Sequence, residues 1–407
     1  MGASPMASIA GSQFFATTPT LPVNVVETTG GELPTVTGAF FNLEVWTGNL
    51  ADAPTRPAPG YQGLAVLSGG GLQIDLISGA FAVTDGGTGD DTINADGTDE
   101  TISGGTANVT LNLLGNNDVA NGGGRDTISV FGKFDTVNAS GPDLINVYGT
   151  HDSVNGGRGR DTINIFNTYD TVKAGTGHEQ INAYGTQDSI AAGTGNDTIN
   201  VFNTHNTVTG GTGNQQISAY GGLDSITAGT GHDTINVYGD KFTVRGGTGN
   251  ETVNAFGIDD SIQAGSGRAK ITAFGDDNTI RGGLGHDTIN VTGQDNLVKT
   301  GSGRDTVDVA GVGNTVVSGS HSGANEAHIT VAGGDFTLVD GEQTYHDTIV
   351  GFNQHAGDRI DLTDESVSKT IHNSEQVNHG RDTLITLSDG STILLKGVTH
   401  IDHSFFS

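Results

Sequence analysis

Polar and apolar side chains alternate in short segments that recur through most of the chain, and this alternation predicts β-strands. In the segment 198–201, Thr-Ile-Asn-Val, the Ile and Val side chains point to one face of a strand and the Thr and Asn side chains to the other. A second aliphatic position follows nine residues after the first, as in Ile199 and Val208. Each repeat is therefore expected to contain two turns and two short strands.

The repeat is 18 residues long, and stacked repeats of this kind are typical of a solenoid. It begins at residues 156, 174, 192, 210, 228, 246, 264, 282 and 300, and single-residue slips carry it back through 139, 121, 104 and 86. A left-handed hexapeptide helix would need an aliphatic residue at every sixth position, which this spacing does not provide. We expect an all-β fold, a parallel β-roll or β-helix solenoid of about 13 eighteen-residue coils with N- and C-terminal caps.

This interpretation divides the chain into three parts. Residues 1–85 form an N-terminal cap or a small β domain, residues 86–317 the repeats, and residues 318–407 a C-terminal cap. Strands are expected at residues 40–46 and 64–81, with a Pro-rich link at residues 53–60. The expected inward stack comprises Ile93, Ile128, Ile163, Ile181, Ile199, Ile217, Ile235, Ile289, Val147, Val201, Val237 and Val291, facing Val154, Val172, Ile190, Val208, Ile226 and Ile262.

The first half of each coil carries the pattern [A/G]-G-x-G-x-D-x-[I/V]-x, with its best copies at residues 86, 156, 192, 228, 282 and 300. Glycine lets the backbone turn with φ > 0 and expose carbonyl oxygens, and Ca²⁺ takes six to eight oxygen ligands. The pattern resembles the nonapeptide of the RTX (repeats-in-toxin, hemolysin-type calcium-binding) family. A dozen copies in register make the resemblance specific.

The resemblance implies several Ca²⁺ ions, each shared between neighbouring coils. The implied ligands are the carboxylates Asp91, Asp126, Asp161, Asp197, Asp233, Asp287 and Asp305, with Glu179 and Glu251 as substitutes. The implied turn glycines are Gly87, Gly89, Gly157, Gly159, Gly193, Gly195, Gly229, Gly231, Gly283, Gly285, Gly301 and Gly303. Val109, Gln215 and Ala269 depart from the pattern, so sites at their coils should be weak or missing. The alternative is that the Asp side chains only cap turns.

The second half of each coil lacks the paired glycines and is not expected to hold calcium in the same way. Its acidic or amide position, at Asp152, Asp170, Asp188, Asn206 and Asp224, is expected to cap a turn. An aromatic ladder is expected at Phe131, Tyr148, Phe166, Tyr184, Phe202, Tyr220, Tyr238, Phe256 and Phe274. We expect it to stabilise the stack, and the alternative is a stripe for sugar rings or for self-association.

Residues 346–407 resemble the C-terminal domain that follows RTX repeats in substrates of bacterial type I secretion. The resemblance implies export by that machinery and a location outside the cell or on the bacterial surface. Residues 1–11 lack the basic and long apolar segments of a signal peptide, which agrees with this interpretation. Extracellular calcium sites are commonly weak, in the millimolar range, so folding is expected outside the cell.

The composition of the chain excludes several classes of function. The chain has 17 Lys and Arg against 46 Asp and Glu, a net charge of −29, which argues against nucleic acid as a partner. The absence of cysteine excludes disulfides and thiolate chemistry, and no apolar run is long enough to span a membrane. The sequence also lacks the H-E-x-x-H, G-x-S-x-G and P-loop motifs, so we expect no enzyme.

The sequence therefore favours a secreted, non-enzymatic, calcium-binding β-roll that acts in a surface layer, a matrix or an adhesive. Its expected partners are calcium, the type I secretion machinery and either further copies of itself or surface polysaccharide. One alternative is ice binding through Thr and Asn rows such as Thr194 and Asn196, as in some RTX-like bacterial adhesins. Another is a β-helix that binds or modifies polysaccharide.

Overall fold

A computed structural model describes residues 90–319, 326–341, 344–363 and 365–407, together with seven strands nearer the N-terminus. The chain forms two compact units, Met1–Thr207 and Val208–Ser407. Turns recur about every 18 residues, in about 14 turns, so the predicted all-β parallel solenoid is confirmed. None of the helices in the described part of the chain has the length and hydrophobicity needed to cross a bilayer.

In the first unit the strands are β1 (Met6–Ile9), β2 (Ser12–Phe14), β3 (Val23–Thr28), β4 (Phe41–Trp46), β5 (Gly63–Val66), β6 (Gln73–Ser78), β7 (Ala82–Thr84), β8 (Thr92–Ala95), β9 (Thr101–Ser103), β10 (Thr110–Leu113), β11 (Val119–Asn121), β12 (Thr127–Val130), β13 (Thr136–Asn138), β14 (Leu144–Val147), β15 (Ser153–Asn155), β16 (Arg158–Gly159), β17 (Thr162–Ile165), β18 (Thr171–Gly177), β19 (Gln180–Ala183), β20 (Ser189–Gly195) and β21 (Thr198–Val201). Strand β22 (Thr207–Thr212) includes the last residue of this unit.

In the second unit the strands are β23 (Gln216–Gly222), β24 (Ser225–Thr230), β25 (Thr234–Asp240), β26 (Thr243–Arg245), β27 (Thr252–Phe256), β28 (Ser261–Gln263), β29 (Lys270–Phe274), β30 (Thr279–Arg281), β31 (Thr288–Thr292), β32 (Leu297–Lys299), β33 (Arg304–Val312), β34 (Thr315–Val317), β35 (Glu326–Gly334), β36 (Thr337–Val339), β37 (His346–Val350), β38 (Arg359–Asp361), β39 (Glu375–Val377), β40 (Asp382–Thr386) and β41 (Thr392–Lys396). The single α-helix of the described residues, α1, is Val367–His372.

Each coil of the first unit contributes one strand to each of two parallel sheets. The first sheet stacks β6, β8, β10, β12, β14, β17, β19 and β21. The second stacks β7, β9, β11, β13, β15, β18 and β20. Like residues lie side by side, as where Ile163 pairs with Ile181 and Asn164 with Asn182. The register holds across the single-residue slips, since Ile128 pairs with Ile145.

The second unit repeats this arrangement and extends it past the last predicted coil. Strand β35 pairs in parallel with β33, and β36 pairs with β34, so the stack continues beyond Val317. The antiparallel strands β39, β40 and β41 follow, and β41 joins the sheet beside β37. The boundaries at residues 85 and 317 remain predictions. The Pro-rich link at residues 53–60 lies outside the described residues.

The core of each unit is a narrow double file of aliphatic side chains between the two sheets. Every residue of the predicted inward stack and of the file facing it is buried, with at most 1 % of its surface exposed. This part of the prediction is confirmed. Two short side chains give a thin core, so hydrogen bonds and ions at the turns must carry much of the stability.

The turn that follows each first-sheet strand from β8 to β31 holds a non-glycine residue in the left-handed region. In the first unit these φ angles run from 61° at Asp99 to 66° at Tyr169, and in the second from 56° at Asp295 to 62° at Lys241. The side chains there differ in size and polarity, as at Phe134, Gln187 and Asp277. The backbone of this turn is therefore constant while its side chain varies.

Replacing one inward isoleucine tests how much the thin core contributes. Ile181 is fully buried between Ile163 and Ile199, so Ile181→Ala should lower the free energy of unfolding by about 2–5 kcal/mol. Gln180→Ala, at the neighbouring outward position, should change it by less than about 0.5 kcal/mol. Urea unfolding with excess calcium measures both. Equal effects of the two substitutions would contradict the assigned core.

Candidate metal site

The acidic residues of the glycine-rich turns lie inside the coils, one above another. We call them the first-turn acids. They are Asp91, Asp126, Asp143, Asp161, Glu179 and Asp197 in the first unit, and Asp233, Glu251, Asp287 and Asp305 in the second. At most 3 % of the surface of each is exposed. The predicted carboxylates therefore form a column in each unit, and Asp143, in the coil that lacks one residue, belongs to it.

In most of the aspartates among these acids, one carboxylate oxygen accepts a hydrogen bond from the backbone of the preceding coil. Asp161 Oδ1 accepts a hydrogen bond from the backbone N–H of Asp143 at 2.8 Å, and Asp143 Oδ1 accepts from that of Asp126 at 2.7 Å. In the second unit, Asp305 Oδ1 accepts from the backbone N–H of Asp287 at 2.9 Å. These bonds satisfy buried N–H groups that the turn would otherwise leave without a partner.

The glycines around this column are required by both backbone angle and space. Gly193 has φ of 96° and Gly195 of 153°, a region that side chains with a Cβ rarely adopt. A Cβ on Gly193 would also overlap the carbonyl oxygen of Gly175 in the preceding coil. The predicted glycines from 157 to 303 line turns of this kind. Gly87 and Gly89 lie outside the described residues.

The second carboxylate oxygen of several first-turn acids points into the glycine turn and has no hydrogen-bond partner. The Oδ2 atoms of Asp161 and Asp287 are buried in this way. A Cβ on Gly156 would lie 2.8 Å from Asp161 Oδ2 and would overlap the carbonyl oxygen of Ala174 in the next coil. Carboxylate and carbonyl oxygens of adjacent coils thus converge on one small space.

Burial and neighbouring carboxylates disfavour the charged form of these acids. Burial raises the pKa of Asp161 to about 6, and burial together with the carboxylates of Asp287 and Asp347 raises that of Asp305 to about 7. Burial and Asp197 also raise the pKa of Glu179. A cation among these oxygens would remove the repulsion and restore the charged form.

The donor set is suited to calcium, a hard cation that takes oxygen ligands. Among the described residues, no three His, Cys, Asp or Glu side chains converge on a point, so side chains alone would not complete a site. Backbone carbonyls of the glycine turns would have to supply the remaining ligands. The residues present therefore fit calcium held by one carboxylate per coil and by turn carbonyls.

A comparison with protein families agrees with this chemistry. The family model "RTX calcium-binding nonapeptide repeat (4 copies)" matches residues 85–111, 139–164, 170–200, 202–236, 254–289, 272–307 and 282–315. The chain carries RTX repeats. This family binds calcium ions, so the resemblance and the cofactor predicted from the sequence are confirmed. The matched segments do not include the C-terminal region. Comparisons with curated proteins and with solved structures give no match.

Three coils of this RTX repeat array lack the carboxylate but keep the backbone arrangement. The N–H of Gln215 donates to Asp233 Oδ1 at 2.7 Å, that of Ala269 to Asp287 Oδ1 at 2.8 Å, and that of Val109 to Asp126 Oδ1 at 2.9 Å. The stack therefore continues through these coils. That their calcium sites are weak or missing stays a prediction.

Sequence reasoning missed one further acid in the equivalent position. Asp347 is buried, its Oδ1 accepts a hydrogen bond from the N–H of Ala327 at 3.1 Å, and its Oδ2 bonds to the Ser318 hydroxyl. Burial raises its pKa to about 6. The signal was present, since His-Asp-Thr-Ile-Val at residues 346–350 matches His-Asp-Thr-Ile-Asn of the repeats, but the preceding glycines are absent.

Substitutions at Asp161 separate calcium binding from turn capping. Asp161→Asn keeps a capping oxygen and removes the charge, so calcium affinity should fall at least about tenfold. A tenfold loss corresponds to about 1.4 kcal/mol of binding free energy. Asp295→Asn removes the same charge from an exposed turn and should leave the affinity unchanged within about twofold. Calorimetric calcium titration measures both. Equal affinities for Asp161→Asn and the unmodified protein would exclude this carboxylate as a ligand.

Proposed function

We propose that the protein is secreted, folds when it meets extracellular calcium, and serves without catalytic activity as a component of a surface layer, a matrix or an adhesive. The buried first-turn acids support calcium-coupled folding, because many carboxylates must lose water and approach one another in the stack. Calcium binds the folded stack better than the unfolded chain, so calcium shifts the equilibrium towards folding. Low cytosolic calcium would keep the chain unfolded for export.

The observation that carries the structural role is an uncharged face in a strongly acidic protein. The outward positions of β8, β10, β12, β14, β17, β19 and β21 are Thr, Asn, Ser, Leu and Gln, without a charged side chain, whereas the chain has a net charge of −29. Asn182 Nδ2 donates to Asn164 Oδ1 at 2.9 Å, and Asn200 Nδ2 to Asn182 Oδ1 at 3.0 Å. Such amide ladders make a flat, repetitive surface.

Aromatic rings border this face and stack in each unit. From Phe131 to Phe202 in the first unit the ring centroids lie 4.7–5.3 Å apart, with planes within 11° of parallel. From Tyr220 to Phe274 in the second unit they lie 5.0–5.3 Å apart, within 9°. Each ring remains 39–48 % exposed. Stacking covers the ring faces and leaves the edges in water.

The covered ring faces bear on the choice of partner. A sugar ring binds an aromatic side chain by lying on its face, and inside the ladder each face is already taken by the next ring. The arrangement therefore favours two roles for the ladder, stabilisation of the stack and contact with a second copy of this face. It favours both over a role as a binding platform for sugars. The ice-binding and polysaccharide alternatives remain predictions from the sequence.

Calcium titration tests the folding mechanism. Circular dichroism should show β-structure appearing cooperatively near millimolar calcium, and EDTA should abolish it. The physical reason is that the unfolded chain lacks the paired carboxylate and carbonyl oxygens. A chain that is fully folded in EDTA would contradict calcium-coupled folding and leave the core and ladders as the main stabilisers.

Light scattering in the same titration tests assembly through the uncharged face. Thr162→Glu with Gln180→Glu adds two like charges to this face and should abolish the growth of large particles at saturating calcium. Ser153→Glu with Thr171→Glu adds the same charge to outward positions of the second sheet and serves as the matched control. If neither pair of substitutions changes particle growth, this face is not the assembly surface. If the unmodified protein stays monomeric at saturating calcium, the structural role is wrong.

A further inference from the structure

A second column of buried polar side chains runs along the opposite turn of the coils, where the glycine pairs are absent. We call it the second-turn ladder. It consists of Glu100, Asp118, Asp135, Asp152, Asp170, Asp188 and Asn206 in the first unit, and of Asp224, Phe242, Asp260, Asn278, Asn296 and Asn314 in the second, with Phe242 as the one apolar member. At most 1 % of the surface of each is exposed. The first unit is mainly acidic here, and three of the second unit's six members are amides.

The members cap the preceding coil with one oxygen, which confirms the predicted capping role. Asp152 Oδ1 accepts a hydrogen bond from the backbone N–H of Asp135 at 2.9 Å, and Asp170 Oδ1 accepts from that of Asp152 at 2.8 Å. Asn278 Oδ1 accepts from the N–H of Asp260 at 2.8 Å in the same way. Asp and Asn therefore occupy one geometry, and the comparison between them is direct.

The second side-chain atom distinguishes the two residue types. In the Asn coils it is an amide nitrogen that donates to a turn carbonyl of the preceding coil, from Asn278 Nδ2 to Gly257 O at 3.2 Å and from Asn314 Nδ2 to Gly293 O at 2.9 Å. In the Asp coils the matching atom is an oxygen. The Oδ2 atoms of Asp118, Asp135, Asp152, Asp170 and Asp188 are buried without a hydrogen-bond partner.

These oxygens face the same carbonyl that the amides reach. A Cβ built on Gly149 would overlap both Gly132 O and Asp152 Oδ2, just as one on Gly311 would lie between Gly293 O and Asn314 Nδ2. The carboxylate Oδ2 and the turn carbonyl oxygen, both hydrogen-bond acceptors, thus face each other in the Asp coils. In the Asn coils an amide N–H occupies the same space. A hydrogen atom fits there, whereas calcium would need several more oxygens and the room that the paired glycines provide at the first turn.

We propose that the second-turn ladder of the first unit is a row of proton-binding sites, in which Asp118, Asp135, Asp152, Asp170 and Asp188 are neutral carboxylic acids that each donate an O–H to the turn carbonyl of the preceding coil. The proton does in these coils what the amide N–H does at Asn278 and Asn314. Asp and Asn are then equivalent members of one hydrogen-bonded ladder.

The electrostatic surroundings favour the proton. Burial raises the pKa of Asp118, Asp152 and Asp188 to about 7, and that of Asp135 and Asp170 to about 6. Charged groups that face the ladder are its own members above and below, with Asp96, Asp99 and Glu100 at the N-terminal end. The cationic or titratable side chains on these turns, Lys133, His151 and His205, are exposed.

The proton sites give the first unit a pH dependence of definite sign. Because the folded-state pKa values lie above the ordinary value of 3.8, the stability they add is complete below about pH 4 and is lost as the pH rises through about 6 to 7. For each such carboxyl, the unfolding constant should rise about tenfold per pH unit between about pH 4 and the folded-state pKa. Asn at the same position should remove that dependence.

The test is Asp152→Asn with Asp170→Asn in the full chain at saturating calcium. At pH 8 the double variant should exchange the backbone N–H of Asp135 and Asp152 at least about tenfold more slowly than the unmodified protein, and at pH 4.5 the two should agree within about twofold. In the reverse variant Asn278→Asp, the backbone N–H of Asp260 should exchange at least about tenfold faster than in the unmodified protein at pH 8, and at a similar rate in the two proteins at pH 4.5. Asp277→Asn with Asp295→Asn removes the same two charges from exposed turns and is the charge-matched control.

Three further outcomes test the proton assignment. Infrared spectra near pH 5.5 should contain a carboxylic-acid C=O band that shrinks in the double variant, and equal bands in both proteins would overturn the proposal. If the double variant instead binds fewer calcium ions, the ladder is a cation site and the proton assignment is wrong. Exchange at pH 8 that is faster in the double variant would likewise overturn it, because a charged carboxylate would then be the better cap.

Discussion

The hydrogen bond from a buried side-chain oxygen to the backbone N–H of the preceding coil is the constraint on which the rest of this structure depends. It occurs at both turns, as at Asp161 and Asp152, and it fixes the register between the coils that it joins. An aliphatic double file is too thin to define that register by shape alone. Most of the polar groups that make these bonds are carboxylates, and burying carboxylates creates an electrostatic cost that the molecule must relieve.

The two turns relieve this cost in different ways. Paired glycines at the first turn open the backbone and bring carbonyl oxygens of adjacent coils together, which suits a divalent cation. The second turn is closed by a residue in the left-handed region and leaves space for a hydrogen atom between Asp152 and Gly132. Buried aspartates therefore suit calcium binding at the first turn and, as we infer, bind protons at the second turn. Calcium then acts on the first-turn column alone.

The sequence was sufficient for the fold because its information is periodic. Alternation placed Ile163 and Ile181 on the inward faces of their strands, and the same inward position is buried in coil after coil. The motif also located Asp161 and the turn glycines. It could not show that Asp152 Oδ2 faces a carbonyl oxygen, since that contact joins atoms of different coils and appears only when the turns are stacked. Nor did it extend the column to Asp347, where the acid persists without the glycines that mark the motif.

The left-handed residue of the second turn has a consequence for how such a chain can vary. Phe134, His151, Tyr169, Gln187 and His205 share one backbone conformation although their side chains range from aromatic rings to an amide. Each holds its side chain outward at intervals of one strand spacing, about 4.8 Å. The turn therefore presents a regular row of outward side chains. Each of them can be substituted independently, coil by coil, while the backbone beneath stays the same.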